Sequence, residues 1–289
     1  MIRFYLPILA SLLVGTAFAE NAAVSWEVNA GFSAVGGTEF RKSSSIGDVR
    51  ALDTEFSTIA SVQAKPGILV RFGLELQRFD LDRSRSAPLP GSLESLAMVI
   101  GGDFQIGEAW LMRLDVHPGF YGADDRIRGR DFDMPITLGG SYFVSADLQL
   151  VIGASLDFNR KYPVLPAVGV RWKFARDWVL DAILPTPRLE YNYSEALTFY
   201  VGADFQGETY RVNGTPGRGR GERKLKDAVV DYTQIRVGAG TTWTISPRIA
   251  LEVEAGCVPV HDFDFHRADV GVRAQGIPPY AGISLKADF

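Results

Sequence analysis

The sequence predicts an all-β chain folded as a single antiparallel transmembrane β-barrel of about fourteen strands, closed by pairing of the first strand with the last. Three observations predict it. Apolar and polar residues alternate with period two in segments from one end of the chain to the other, the pattern of strands with two unlike faces. Tight turns and long polar connections take turns along the chain. The final stretch places Ala281, Ile283, Leu285, Ala287 and Phe289 on one face and Tyr280, Gly282, Ser284, Lys286 and Asp288 on the other. A terminal strand frays unless something holds its edge, and a closed barrel does so by pairing it with the first strand.

The chain opens with Met1-Ile2-Arg3, an apolar run from Phe4 to Gly15, and Thr16-Ala17-Phe18-Ala19. That is a charged segment, an apolar segment and a small-residue cleavage site, so residues 1–19 read as a signal peptide and 20–289 as the barrel domain. Nothing after Ala19 has the continuous run of ~20 apolar residues a membrane helix needs, so a membrane location requires strands. The single cysteine excludes an intrachain disulfide; Cys257 is in phase with Leu251, Val253 and Ala255 and reads as a small apolar side chain. A net charge of −4 argues against nucleic acid as a partner.

The strands follow in order. Val24 to Phe32 alternates cleanly, with Trp26, Val28 and Ala30 on the apolar face. Phe56 to Ala64 is weaker, because Ile59 lies among the polar set. Ile68, Val70, Phe72, Leu74 and Leu76 oppose Arg71, Gly73, Glu75 and Gln77. Leu96 to Ile106 and Trp110 to His117 come next. Met134 to Val144, Leu148 to Phe158, Leu165 to Phe174 and Trp178 to Leu184 continue the series. Arg188 to Tyr193, Leu197 to Tyr210, Val229 to Trp243, Ile249 to Val258 and Pro279 to Phe289 complete it. The stretch at Pro185-Thr186-Pro187 reads as a hairpin between two stubby strands; taken as one kinked strand it leaves about twelve.

The minority face carries the ionisable residues Arg71, Glu75, Asp103, Arg113, Asp157, Arg171, Asp204, Arg236, Glu252 and Glu254. A soluble sandwich alternates as well, but the connections sort by end. Short turns such as Lys65-Pro66-Gly67, Gly107-Glu108 and Ser246-Pro247 fall at one end. Ser33 to Asp53, Asp80 to Ser92, Gly122 to Asp133, Arg211 to Ala228 and His261 to Pro278 fall at the other and read as long external loops. This is the asymmetry of bacterial barrels, with the charged set lining the lumen and the Ala281–Phe289 face meeting lipid. Opposite charges such as Arg71/Glu75 and Arg113/Asp115 are then candidates for ion pairs across the lumen.

Chemistry is sparse. His117 follows Asp115 by two residues, so both share the inward face. That pair resembles the Asp/His pair of omptin outer-membrane proteases, and Asp80/Asp82, Asp131/Asp133 and Asp262/Asp264 are candidate carboxylate partners for general-base activation of water. An acyl hydrolase would need an inward serine beside a histidine; Ser141, Ser155 and Ser284 are the candidates. His261, Asp262, Asp264 and His266 in one loop have metal-ligating chemistry, though a solvated loop explains them as well. The basic stretch Gly217 to Lys226 suits phosphate groups of lipopolysaccharide. Asn213-Gly214-Thr215 matches a glycosylation acceptor by coincidence.

The leader, the stretch Leu180-Asp-Ala-Ile-Leu-Pro-Thr-Pro-Arg-Leu-Glu-Tyr191 and the terminal Phe289 together resemble an uncharacterised family of Gram-negative outer-membrane β-barrels. The resemblance implies the outer membrane, lipid and lipopolysaccharide as neighbours, and delivery to the barrel-assembly machinery through the C-terminal strand. It brings no activity with it. The expectation is a non-enzymatic narrow pore or structural protein without metal or other cofactor. The alternative is a hydrolase using Asp115 and His117.

Overall fold

The computed structural model describes residues 24–289 apart from 43–44, 84–86, 125–127, 214–215 and 217–222. The expected leader and most of the basic stretch 217–226 lie outside the described residues. The ladder begins β1 (Val24–Arg41), β2 (Ser45–Lys65), β3 (Ile68–Arg83), β4 (Ser92–Ile106), β5 (Trp110–Val116) and β6 (Gly119–Ala123). It continues β7 (Phe132–Asp133), β8 (Ile136–Phe143), β9 (Leu148–Leu156), β10 (Val164–Trp172), β11 (Trp178–Asp181) and β12 (Arg188–Asn192). The last members are β13 (Leu197–Arg211), β14 (Val229–Ser246), β15 (Ile249–Phe265), β16 (Val270–Ala274) and β17 (Pro279–Asp288).

Three pairs of these segments are halves of single wall strands. Pro118, Pro135 and Pro278 interrupt them, because proline offers no N–H to the ladder. The break is bridged locally: His117 donates its backbone N–H to the Pro135 carbonyl at 2.8 Å, and Met98 donates to Pro118 at 3.0 Å. Counting β5–β6, β7–β8 and β16–β17 once each leaves a closed antiparallel barrel of 14 strands, including the stubby β11–β12 hairpin. Closure runs from Glu27 opposite Asp288 to Val35 opposite Tyr280, and Trp26 and Phe289 exchange two backbone hydrogen bonds of 2.8 Å below it.

Two of the five expected long loops, 33–53 and 261–278, are mostly strand. β1 and β2 pair as far as Arg41 and Ser45, and β15 continues through His261 to Phe265 against β16. The cause is an exchange of faces partway up the wall. On β3, Arg71, Glu75 and Gln77 point inward while Phe72, Leu74 and Leu76 are exposed outside. Higher up the same inward phase carries Phe79 and Leu81, and the outward phase carries Arg78, Asp80 and Asp82. β2 does likewise, with Asp53 inward below and Ala51 and Val49 inward above; β15 reaches the same result through a bulge between Cys257 and Val260, with Glu252 and Glu254 inward below it and Phe263 and Phe265 inward above it. The lower tier is therefore an inside-out barrel of the membrane kind, and the upper tier is built like a water-soluble one. Ile59, Val99 and Val151 are exceptions below: they face inward and are buried.

The upper tier is filled by one apolar cluster that includes Val35, Phe40, Phe79, Leu93, Tyr232 and Phe263. Only the tall strands reach it. Above the shorter strands β7 to β12 the tall wall closes on itself, where Gly122 of β6 pairs in parallel with Arg211 of β13. Arg130 to Asp227 at 2.6 Å and Asn213 to Asp131 at 2.7 Å clamp that seam.

Candidate functional site: a charged lumen beneath an apolar cap

Beneath the cap, strands from all sides deliver ionised groups into a confined space. Arg71 of β3 is 1% exposed and donates to Asp115 of β5 at 2.5 Å, with Glu27 of β1 at 4.0 Å. These side chains meet across β4, where Gly101 lies in register between them. A Cβ at Gly101 would sit 2.0 Å from the Asp115 carboxylate, so the absence of a side chain there makes the pair possible. The same arrangement recurs opposite: Gly240 lies between Tyr200 and Glu254, and the Tyr200 hydroxyl donates to Glu252 at 2.8 Å and lies 3.2 Å from Glu254.

The charges expected to pair across the lumen find their partners on other strands. Arg71 pairs with Asp115, and Arg113 takes both oxygens of Asp103, at 2.6 and 2.7 Å. Neighbouring positions on one strand face point in parallel, whereas side chains from different strands converge on the axis. Arg171 pairs with Asp181 and lies 3.5 Å from Glu190. Arg188 binds Glu252 in a fork at 2.9 and 3.2 Å, and Lys286 approaches the same carboxylate at 3.7 Å. Asp204 accepts from Gln206 at 2.7 Å, and Asp157 lies 3.8 Å from Arg160. Directly under the cap, Arg236 reaches across to Asp53 at 3.1 Å, and Gln77 donates to the same Asp53 at 3.1 Å. A polar cavity of about 220 Å³ remains beside this layer, lined by Glu55, Asp181, Arg188, Glu190 and Glu254 among others.

The residues considered for catalysis are separated. His117 Nδ1 sits 3.0 Å from Glu75, while Asp115 is committed to Arg71. Asp80/Asp82 and Asp262/Asp264 project from the outer faces of β3 and β15, on the far side of the wall from His117. Asp131 instead caps the backbone N–H of Arg128 and accepts from Asn213, both at 2.7 Å, and Asp133 accepts from Asn159 at 2.9 Å. Ser141 is fully buried with no partner for its hydroxyl. Among the described residues no serine is hydrogen-bonded to a histidine, and no cluster of three metal-ligating groups forms. The supposed metal loop is strand up to Phe265, so His261 faces in and Asp262 and Asp264 face out.

His261 belongs to the cap. It stacks among Phe40, Tyr232 and Phe263, with the Tyr232 hydroxyl 3.2 Å from its Nε2. It lies level with Asp262, above the outward apolar band and outside the lipid-spanning part of β15. Burial, with Arg236 nearby, pushes its pKa down to about 3, so the ring is neutral.

The closing strand turns Ala281, Ile283, Leu285 and Phe289 outward, with Ala287 only 8% exposed. Alternation read strand by strand does not reveal the cap. Its signal was present in the shared phase of Arg71, Glu75, Gln77, Phe79 and Leu81, a polar face turning apolar without a register break.

Residues 89–272 match the family model described as Domain of unknown function (DUF6268). No curated protein matches the chain. Among solved structures, the COG4313 outer membrane channel from Pseudomonas putida F1 is similar over 96% of this chain and 100% of its own, at 10% identity and a TM-score of 0.50. The P. putida toluene transporter TodX is similar at 10% identity and a TM-score of 0.42, over 94% of this chain and 91% of its own. The NanC porin is similar at 9% identity and a TM-score of 0.41, over 91% and 98%.

Proposed function

This chain belongs to the family described as Domain of unknown function (DUF6268), and on that premise we propose that it is a non-enzymatic barrel of the bacterial outer membrane, of the channel class, whose axis is shut on the extracellular side. The observation that carries this is the exchange of faces. An open pore needs a wetted path from end to end, and here the upper lumen is a dry core of Phe, Tyr, Leu and Val side chains. Below it the crossed ion pairs narrow what is left.

The chain is exported through a cleaved leader of residues 1–19, its short turns lie on the periplasmic side, and its outward apolar band meets lipid. Lipopolysaccharide borders the outer rim, and the β17 strand is handed to the assembly machinery before it pairs with β1. Asp115 and His117 serve the lumen as partners of Arg71 and Glu75.

Planar-bilayer recording of refolded protein tests the axial closure. The expected trace shows no steady single-channel steps; stable steps of an open porin overturn the proposal. Replacing His117 by Ala and following peptide and lipid ester hydrolysis tests the other side: a hydrolytic rate that disappears with His117 supports an enzyme instead.

A further inference from the structure

The wall has a gap. β11 and β12 are short, and their hairpin ends at Leu184-Pro185, so above it β10 and β13 have no strand between them. β10 has its last ladder contact on that side near Val170, and β13 near Phe205, whose N–H reaches the Pro185 carbonyl. Open strand edges facing lipid leave backbone groups unsatisfied, and such edges occur at membrane depth only where they border a cavity. A cavity is what lies there. It has a volume of about 960 Å³ and is bordered by Leu165, Ala167, Leu184, Pro185, Phe205 and Gln206, among others.

Three features mark it as built for a ligand. Leu165 has the inward phase of β10 yet is 41% exposed, because it faces this space and not a packed core. Gln206 is 3% exposed, and its Oε1 has no partner, an acceptor held out of water without a donor. The edges are also guarded against an added strand: Pro166 removes a donor from β10, and Arg160 covers the Gly207 carbonyl of β13 at 3.5 Å. The volume suits a small molecule. Acidic groups outnumber basic ones around it, and Lys161 is engaged by Asp264 at 2.7 Å, which disfavours an anionic head.

We propose that the cavity between β10 and β13 is a binding site, reached through the side of the barrel, for an amphiphile with one apolar chain and a non-anionic, hydrogen-bond-donating head. The chain lies along Leu165, Ala167, Leu184 and Phe205, and the head donates to the Gln206 carbonyl. This goes beyond the axial closure and rests on the barrel being in a membrane.

The test is photolabelling of the full protein in phosphatidylcholine vesicles with a diazirine-bearing long-chain alcohol, read by peptide mass spectrometry. Label is expected on the peptides around Leu165–Ala167 and Phe205–Gly207, displaced by dodecanol and not by dodecanoate. Gln206→Leu should weaken dodecanol competition about tenfold, the loss expected for one buried hydrogen bond. Ala167→Trp should remove the label by filling the space. Label spread over the outward faces of all strands overturns the site, and equal competition by dodecanoate overturns the head-group assignment. Conductance steps in the unmodified protein would sink the axial closure alone, leaving the labelling result to stand or fall by itself.

Discussion

Arg71 and Asp115 meet only because position 101 is glycine, and that geometry gives a sharp expectation. Asp115→Asn leaves a buried guanidinium with Glu27 at 4.0 Å as its remaining carboxylate neighbour, and removing one partner of a buried pair costs about 3–5 kcal/mol. Gly101→Val should cost a similar amount without touching either charge, because its side chain takes the space of the Asp115 carboxylate. Urea unfolding in vesicles measures both, and combining the two substitutions should add little, since each removes the same interaction. Full additivity would show that Gly101 serves something else. None of this was legible from spacing along one strand. The sequence shows which residues face the lumen by their parity, but partners such as Arg71 and Asp115 come from strands that tertiary closure brings together.

Along a strand, the exchange of faces assigns opposite outcomes to neighbouring positions. Leu76 lies outside in the apolar band, so Leu76→Arg should cost about 2–4 kcal/mol if that band is in the bilayer. Asp80, four residues on and on the same face, lies above it; Asp80→Arg breaks an exposed pair with Arg78 and should change stability by no more than about 1 kcal/mol. Phe79 sits between them on the inner face, and Phe79→Ala should cost about 3–5 kcal/mol by opening a void in the cap. Equal costs at Leu76 and Asp80 would contradict the two-tier wall. The strands themselves were readable as alternation, and so was the hairpin at Pro185-Thr186-Pro187. Their upper ends were mistaken for loops, because charged residues in alternation resemble a polar loop unless the intervening Phe79, Leu81, Phe263 and Phe265 are credited with a core of their own.

For the barrel taken together, the cap is both plug and weak point. His261 has an ordinary value of 6.5 and is lowered to about 3 in the folded protein. The unfolded chain therefore binds a proton that the folded one does not between these values. The linked stability is complete above pH 6.5 and is lost as pH falls toward 3, at about 1.4 kcal/mol for each unit. His261→Phe should flatten that slope in unfolding titrations; an unchanged slope would place the acid sensitivity elsewhere. Weakening the cap further by combining Phe79→Ala with Phe263→Ala should admit water, giving intermittent conductance while the barrel stays resistant to unfolding in cold detergent. If that variant remains silent in planar bilayers, the charged layer at Asp53 and Arg236 closes the axis without help.

Alternation together with the order of short and long connections pointed by itself to a closed barrel of about fourteen strands, because both are properties of the chain alone; the choice of fourteen over twelve came from the β11–β12 ladder. Strand heights, the cap and the side notch were decided in three dimensions. They depend on which strands end beside which: β11 and β12 stop low, β6 and β13 meet above them, and the taller strands gather their inward apolar residues into one core. Between bulges, sequence parity says which way a side chain points, and only the assembled wall says what stands opposite.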